Sequence, residues 1–501
     1  MRGYAAVTFG AILAGAVHAS AGNGVVQWDI RRTQRQEELQ RLNRRLRKRA
    51  DPVLEVITNE KIRGGYFATC KVGTPGQDLT LQLDTGSSDI WVPDSAALVC
   101  SEIGTEGCAL GTFNPNRSSS FEVIGEGQFD IEYVDGSSSK GDYFTDVFQI
   151  GDISVQNMTM GLGLHTDIAY GLVGVGYAIN EAIVGKTQSL DSVYPNLPVQ
   201  MVDQGLINTV AYSLWLNDLD ASSGSILFGG IDTEKYQGQL TRIDIYPSSQ
   251  GVFSSFVVAL TSLEASSPSG QDTLTSQEFP IPVVLDSGTT LSYLPTDLAT
   301  QAWKEVGAFY SPEVGAAVLP CDMENSKGSF SFGFAGPDGP RITVGMDELV
   351  LDMTDGQAPQ FLSGPYKGRD VCQFGIQNFT SAPFLLGDTF LRSAYVVYDL
   401  VNNQIGIAAT DFNSTDSNIV PFPSMGAPIP SATVAANQRE VTRVPTVTEP
   451  AYSASQGFME SASGEENLAP GMPAAWGMGQ MLVVGVTMAL TALGSGLFFV
   501  L

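Results

Sequence analysis

With 501 residues, a net charge of −27 and two histidines, the chain can form two lobes but has few of the usual metal and triad ligands. Such negative charge argues against nucleic acid as a partner, because phosphates would be repelled. Past residue 21 one histidine remains, His165, too little for a Ser-His-Asp triad or a multi-histidine zinc site. No Gly-rich phosphate loop of the form Gly-x-x-x-x-Gly-Lys-Ser/Thr occurs either, and no metal or other cofactor is expected.

Residues 1–21 combine Arg2, an apolar centre and the small residues of "HASA", the pattern of a secretory signal peptide. Residues 22–49 carry nine Lys or Arg against three acids and end in "RRLRKR", where Lys48-Arg49 is a dibasic processing site. They read as a basic propeptide. Without residues 1–49 the chain keeps 16 Lys plus Arg against 50 Asp plus Glu, about −34. The propeptide is therefore expected to lie over a negative cleft and inhibit its own chain.

From about residue 51 to 411, short β-like runs recur between Gly, Ser and Asp: "YFATCKVG", "FDIEYVDG", "AYSLWLN", "SILFGG", "AYVVYDL". They predict an all-β core with a few short helices, such as "PTDLATQAWKEVGA". One run, "LQLDTGSSDIWVP" (Leu81 to Pro93), drives an apolar strand into the carboxylate of Asp84, a costly end for a buried strand unless the charge is used. Two hundred residues on, "VLDSGTTLSYLP" repeats it around Asp286 without a gap. About a hundred residues after each copy comes an apolar-Gly signature, "YGLVGVGY" and then "PFLLGDTFL". Self-similarity at so long a period marks duplicated architecture. We expect lobes at 50–210 and 211–411, facing each other with Asp84 and Asp286 together on a pseudo-twofold axis.

Five cysteines allow two bridges and one free thiol. Cys100 and Cys108 bracket a short loop in the first half, and Cys321 and Cys372 both lie in the second, so pairing within halves is the simplest arrangement. Cys70, in an alternating strand, reads as a buried thiol. Sequons begin at Asn116, Asn157, Asn378 and Asn413, consistent with a secreted surface. Residues 412–467, rich in Ser, Thr, Pro and Ala, read as a disordered stalk. The uncharged "MLVVGVTMALTALGSGLFFVL" is long enough to span a bilayer but lacks flanking positive charge. With small residues and a spacer before it, residues 468–501 match a glycolipid-anchor (GPI) signal that is removed, with Asn467 or Ser463 as attachment residue.

Two carboxylates held together share a proton across the acidic range. The ionised one can take a proton from a water between them while the protonated one polarises a scissile carbonyl, which is hydrolysis by general acid–base chemistry. Gly86 and Gly288 would keep the backbone tight beneath the carboxylates, and Thr85 and Ser287 can bond across the axis.

"LDTGSSDIWVP", "VLDSGTT", "GLVGVGY" and "LLGDTFLRSAYVVYDLVNNQIGIA" together resemble the pepsin-type aspartic protease family across about 360 residues. The resemblance implies a bilobal double-β-barrel with a central cleft, a monomer acting on protein or peptide substrates. Asp84 and Asp286 match the catalytic pair, and Ser87 and Thr289 the hydroxyls supporting it. "FDIEYVDGSSSKGDYFTD" matches the flap hairpin, with Tyr133 as flap tyrosine and Trp91 expected to receive its hydroxyl hydrogen bond. Asp135-Gly136 has the composition of a hairpin turn. In the resembling family Asp135 also faces the first subsite on the amino side of the scissile bond, and fungal members with Asp there accept Lys or Arg. Prosegment, stalk and tail are most similar to fungal yapsin-like, GPI-anchored members. The competing reading is a catalytically inactive relative that binds protein or serves the cell wall.

Overall fold

The computed structural model describes residues 24–32, 65–101, 107–221, 223–274, 276, 278–353, 358–436, 438 and 458. The signal peptide, Lys48-Arg49, the tail, Ser463 and Asn467 lie outside them. Among the described residues there are 28 strands, and no helix is long and apolar enough to cross a membrane. The protein is a bilobal all-β structure.

Each half is built the same way around its motif. Gln77–Asp84 pairs in parallel with Leu172–Gly174, and Ile281–Leu285 with Phe384–Leu386. After the motif, Ile90–Pro93 runs antiparallel to Leu172–Gly174 and parallel to Ile153–Thr166. Its counterpart Ser292–Pro295 runs antiparallel to Phe384–Leu386 and parallel to Ile376–Phe379. In both halves the apolar-Gly signature is thus the strand that supports the carboxylate loop. Buried on both faces, it needs an unbroken apolar run, which "LVG" and "FLL" supply.

Local chemistry explains the surrounding elements. Ser138–Ile150 and Ile153–Thr166 form a long hairpin closed by Gly151-Asp152, with Gly151 at φ +53° where a side chain would be strained. Helix Thr296–Val306 begins with Asp297 in its first turn, buries Leu298, Ala299, Ala302, Trp303 and Val306, and stops at Gly307 in the left-handed region. The Trp303 indole donates to the carbonyl of Ile376 at 2.8 Å, tying the helix to the second lobe.

One continuous sheet joins the lobes. Ala211–Trp215 pairs with both Ser223–Phe228 and Ala394–Asp399, so the expected junction near residue 211 falls inside the central sheet. Next to Ser223–Phe228 lies Val26–Arg32, from the segment read as propeptide, whose other edge meets Tyr66–Val72. Its alternate residues Val26, Trp28 and Ile30 are fully buried. The described part of that segment, residues 24–32, is therefore sheet core, and residues 33–49, which hold most of its basic charge, lie outside the described residues. The strand ends at Arg32, which donates to the Leu219 carbonyl at 3.0 Å beside the buried Arg392–Glu348 ion pair.

One expectation needs correction. The stretch from 412, read as stalk, is folded through Ala436. Ile419–Pro421 pairs with Gly230–Asp232, and Thr433–Val434 lies parallel to Tyr236–Asp244. Phe422 and Ile429 are buried. Scattered among Ser, Thr and Pro, these side chains have no period, because they fill gaps on a preformed surface instead of lining one face of an element.

Candidate active site

Asp84 and Asp286 sit at the ends of their motif strands, each under a tight loop, and both are buried. Each carboxylate is held by the same two donors. Gly86 N–H reaches Asp84 Oδ1 at 2.8 Å and the Ser87 hydroxyl reaches Oδ2 at 2.5 Å. Gly288 N–H reaches Asp286 Oδ1 at 2.9 Å and the Thr289 hydroxyl reaches Oδ2 at 2.5 Å. A Cβ on Gly86 would lie 2.6 Å from Asp286 Oδ1, and one on Gly288 2.3 Å from Asp84 Oδ1. Only glycine lets each loop lie against the opposite carboxylate.

The loops are locked across the lobe boundary. Ser287 N–H donates to Thr85 Oγ1 at 3.0 Å, and that hydroxyl donates to the Leu285 carbonyl at 3.0 Å. Reciprocally, Thr85 N–H donates to Ser287 Oγ at 3.2 Å, which donates to the Leu83 carbonyl at 3.2 Å. A further tie, Gln82 Nε2 to the Gly288 carbonyl at 3.2 Å, was not legible in the motif alignment.

Burial, and then the charge of Asp286, push the Asp84 carboxyl up to about 7, against the Ser87 and Gly86 bonds that lower it. At acidic pH the pair therefore keeps a proton.

Matched paired carboxylates under a cross-lobe lock, each on its own copy of one strand unit, decide the family, and comparison with known proteins agrees. The chain belongs to the eukaryotic aspartyl protease family. The family model matches residues 65–410. The probable aspartic-type endopeptidase opsB of Aspergillus fumigatus is 41% identical over 82% of this chain and 81% of that protein. An acid protease of Saccharomycopsis fibuligera is 38% identical over 69% of this chain and 81% of its own length. Aspartic proteinase yapsin-3 of Saccharomyces cerevisiae is 32% identical over 73% of this chain and 69% of its own. The protease is an aspartic-type endopeptidase.

The segment expected to be the flap is an antiparallel hairpin of Glu122–Glu132 with Ser138–Ile150. Tyr133 and Trp91 do pair, with the polarity reversed: Trp91 Nε1–H donates to Tyr133 Oη at 2.8 Å. An indole nitrogen has no lone pair with which to receive a hydroxyl proton. At the tip, Gly136 N–H bonds the Tyr133 carbonyl and Tyr133 N–H the Ser137 carbonyl, both at 2.9 Å, with Gly136 at φ +82°. This is a three-residue turn with a glycine bulge. Asp135 is exposed there, and its Oδ1 accepts from Ser137 N–H at 2.9 Å and from the Ser137 hydroxyl at 2.6 Å.

At the base of this hairpin lies a group that the motif comparison missed. Asp89, buried in the protease's first motif, accepts from the Tyr143 hydroxyl at 2.8 Å and the Tyr194 hydroxyl at 2.7 Å. Its other oxygen accepts from Ala182 N–H at 2.8 Å, and Tyr194 N–H donates to the buried Glu181 at 3.0 Å. Burial, followed by the Asp89 charge, pushes Glu181 up to about 10, and burial raises Asp89. Tyr143 stands on Ser138–Ile150 and Asp89 five residues past Asp84, so one carboxylate ties the base of this hairpin to the loop that holds Asp84. The signal was a second charge inside a buried run, the argument that singled out Asp84.

Cys100 bonds Cys108 and Cys321 bonds Cys372, while Cys70 is a buried free thiol. Asn116, Asn157 and Asn413 are exposed, and Asn378 is half-buried.

Proposed function

We propose that the protein is a secreted, cell-surface aspartic endopeptidase, working at acidic pH through Asp84 and Asp286. The observation that carries this is the pseudo-twofold pair: two buried carboxylates, each fixed by a glycine N–H and a hydroxyl, with the loops cross-bonded through Thr85 and Ser287. One carboxylate, ionised, takes a proton from a water held between them. The other, protonated, donates to the carbonyl oxygen of the scissile peptide as the water adds, and the proton is then passed to the departing amine. No covalent intermediate is needed. Tyr133, positioned by Trp91, closes the flap side of the cleft.

The chain is made with a signal peptide (1–21) and a basic propeptide (22–49) that inhibits until cleavage near Lys48-Arg49, by the enzyme itself or by a separate dibasic protease. It is held at the outer membrane or wall by a glycolipid on Asn467 or Ser463, and carries glycans at Asn116, Asn157, Asn378 and Asn413. Preference for Lys or Arg beside the cut is supported by the exposed Asp135 carboxylate at the flap tip and by the mature charge of about −34, which steers basic peptides inward.

The test is cleavage-site profiling of the purified enzyme on a peptide library from acid to neutral pH, with Asp84→Asn and Asp286→Asn alongside. Each substitution should lower kcat by roughly 10²-fold or more. Wild-type cleavage by either variant would refute the mechanism. An inert wild-type enzyme would favour the binding or cell-wall reading.

A further inference from the structure

Phe458 lies far past the family match, yet it is anchored to the second lobe. Its ring is 3% exposed and packs on Phe330 with centroids 5.3 Å apart. Its N–H donates to the Glu305 carbonyl at 2.8 Å, and its carbonyl accepts from the Ser326 hydroxyl at 3.2 Å. The socket is shaped for it: a Cβ on Gly328 would lie 2.2 Å from the ring.

The same helix end carries an aromatic surface. Two residues after Glu305, the Gly307 carbonyl accepts from the Tyr366 hydroxyl at 2.9 Å. Tyr366 stacks with Phe309 and contacts Phe361 at centroid distances of 6.4 and 5.6 Å. Around them Leu362 is 84%, Tyr310 50% and Phe309 42% exposed. Exposed aromatic and aliphatic side chains gathered in one patch mark an interaction surface. Arg369 lies over the Tyr366 ring and pairs with Asp322. With Lys304 near the helix end and Lys367 next to Tyr366 it makes three of the twelve Lys and Arg between residues 65 and 436, set against Glu313, Asp322 and Asp370 in the same segments. In a chain of about −34 this face is close to charge-balanced, so lipid headgroups are not repelled from it.

We infer that the face around Phe309, Tyr310 and Leu362 lies against the membrane that carries the anchor, with Phe458 as the clamp that sets the distance. This rests on the glycolipid reading above. From Phe458 to Ser463 is five residues and to Asn467 nine, a reach of at most about 18 or 32 Å at full extension. A lipid attached there cannot stand a long stalk away from the second lobe, and the patch meets the same helix end as the clamp, at Gly307 two residues after Glu305. Aromatic residues with flanking lysines suit the headgroup layer.

The experiment uses the full chain on cell membranes, with Leu362→Cys, Tyr310→Cys and, on the other lobe, Ile124→Cys (Ile124 is 52% exposed). Cys70 is buried and does not compete for label. A membrane-impermeant maleimide is applied before and after release by phosphatidylinositol-specific phospholipase C. Cysteines at 362 and 310 should label several-fold more slowly on the membrane than after release, and the one at 124 equally in both. Equal rates at 362 and 310 before and after release would overturn the inference. So would slow labelling in both states, which would mean that protein covers the patch. Absence of release would instead overturn the anchor reading, and this inference with it.

Discussion

Thr85 and Ser287 exchange hydrogen bonds across the lobe boundary, each backbone N–H donating to the other's hydroxyl oxygen at 3.2 and 3.0 Å. Because both hydroxyls also donate to carbonyls of the opposite motif strand, at 3.0 and 3.2 Å, neither loop can move without breaking bonds in both lobes. Thr85→Val removes one half of this lock while keeping the side-chain shape. It should lower kcat by roughly 10- to 100-fold, since small misplacement of reacting groups is costly, with little change in KM. Thr85→Ser should restore most of the rate. Equal, wild-type kcat in both variants would show that the lock does not set the carboxylate geometry.

The Glu181 carboxyl predicts a stability profile. Its folded value is raised to about 10 from an ordinary carboxylate range near 4.5. Below the ordinary value both folded and unfolded chains hold the proton. Between it and about 10 only the folded chain does, so stability falls as pH rises through that window. Glu181→Gln, neutral throughout, should leave the Tm unchanged near pH 4 and raise stability at pH 7 by on the order of 1–3 kcal/mol. Thermal unfolding at the two pH values checks it, and an equal shift at both would assign the effect to packing.

Asp135 carries the specificity reading. Its Oδ1 already serves the flap turn through Ser137, so a turn role and a charge role rest on one carboxylate. Asp135→Thr should lower kcat/KM on Lys and Arg substrates while sparing Leu and Phe ones. Equal losses on both would leave Asp135 as a turn residue alone.

Trp28 tests the strand from the basic leader segment. It is fully buried, its indole donates to the Thr69 carbonyl at 3.0 Å, and its ring meets Phe148 edge-on at 5.9 Å. Trp28→Ala in the full-length precursor should cost about 3–5 kcal/mol, read as a lower denaturation midpoint. An unchanged midpoint would mean that the strand adds nothing to the stability of the sheet.

What could be read without coordinates was whatever repeats or alternates. The two Asp-Thr/Ser-Gly motifs and their apolar-Gly partners are local strings whose duplication implies a twofold site, and alternating strands announced the all-β lobes. The roles of Val26–Arg32, of residues 412–436 and of Phe458 were decided only by the folded molecule. The apolar side chains of residues 412–436 and Phe458 are isolated and enter a surface formed by residues far away in sequence, so no period exists to betray them. The alternation of Val26, Trp28 and Ile30 shows a strand but not which sheet it joins. The same holds for Asp89 and Glu181: their charges stand close only because the flap strand, the first motif and the helix after Glu181 converge, and burial beside each other, not composition, sets their chemistry.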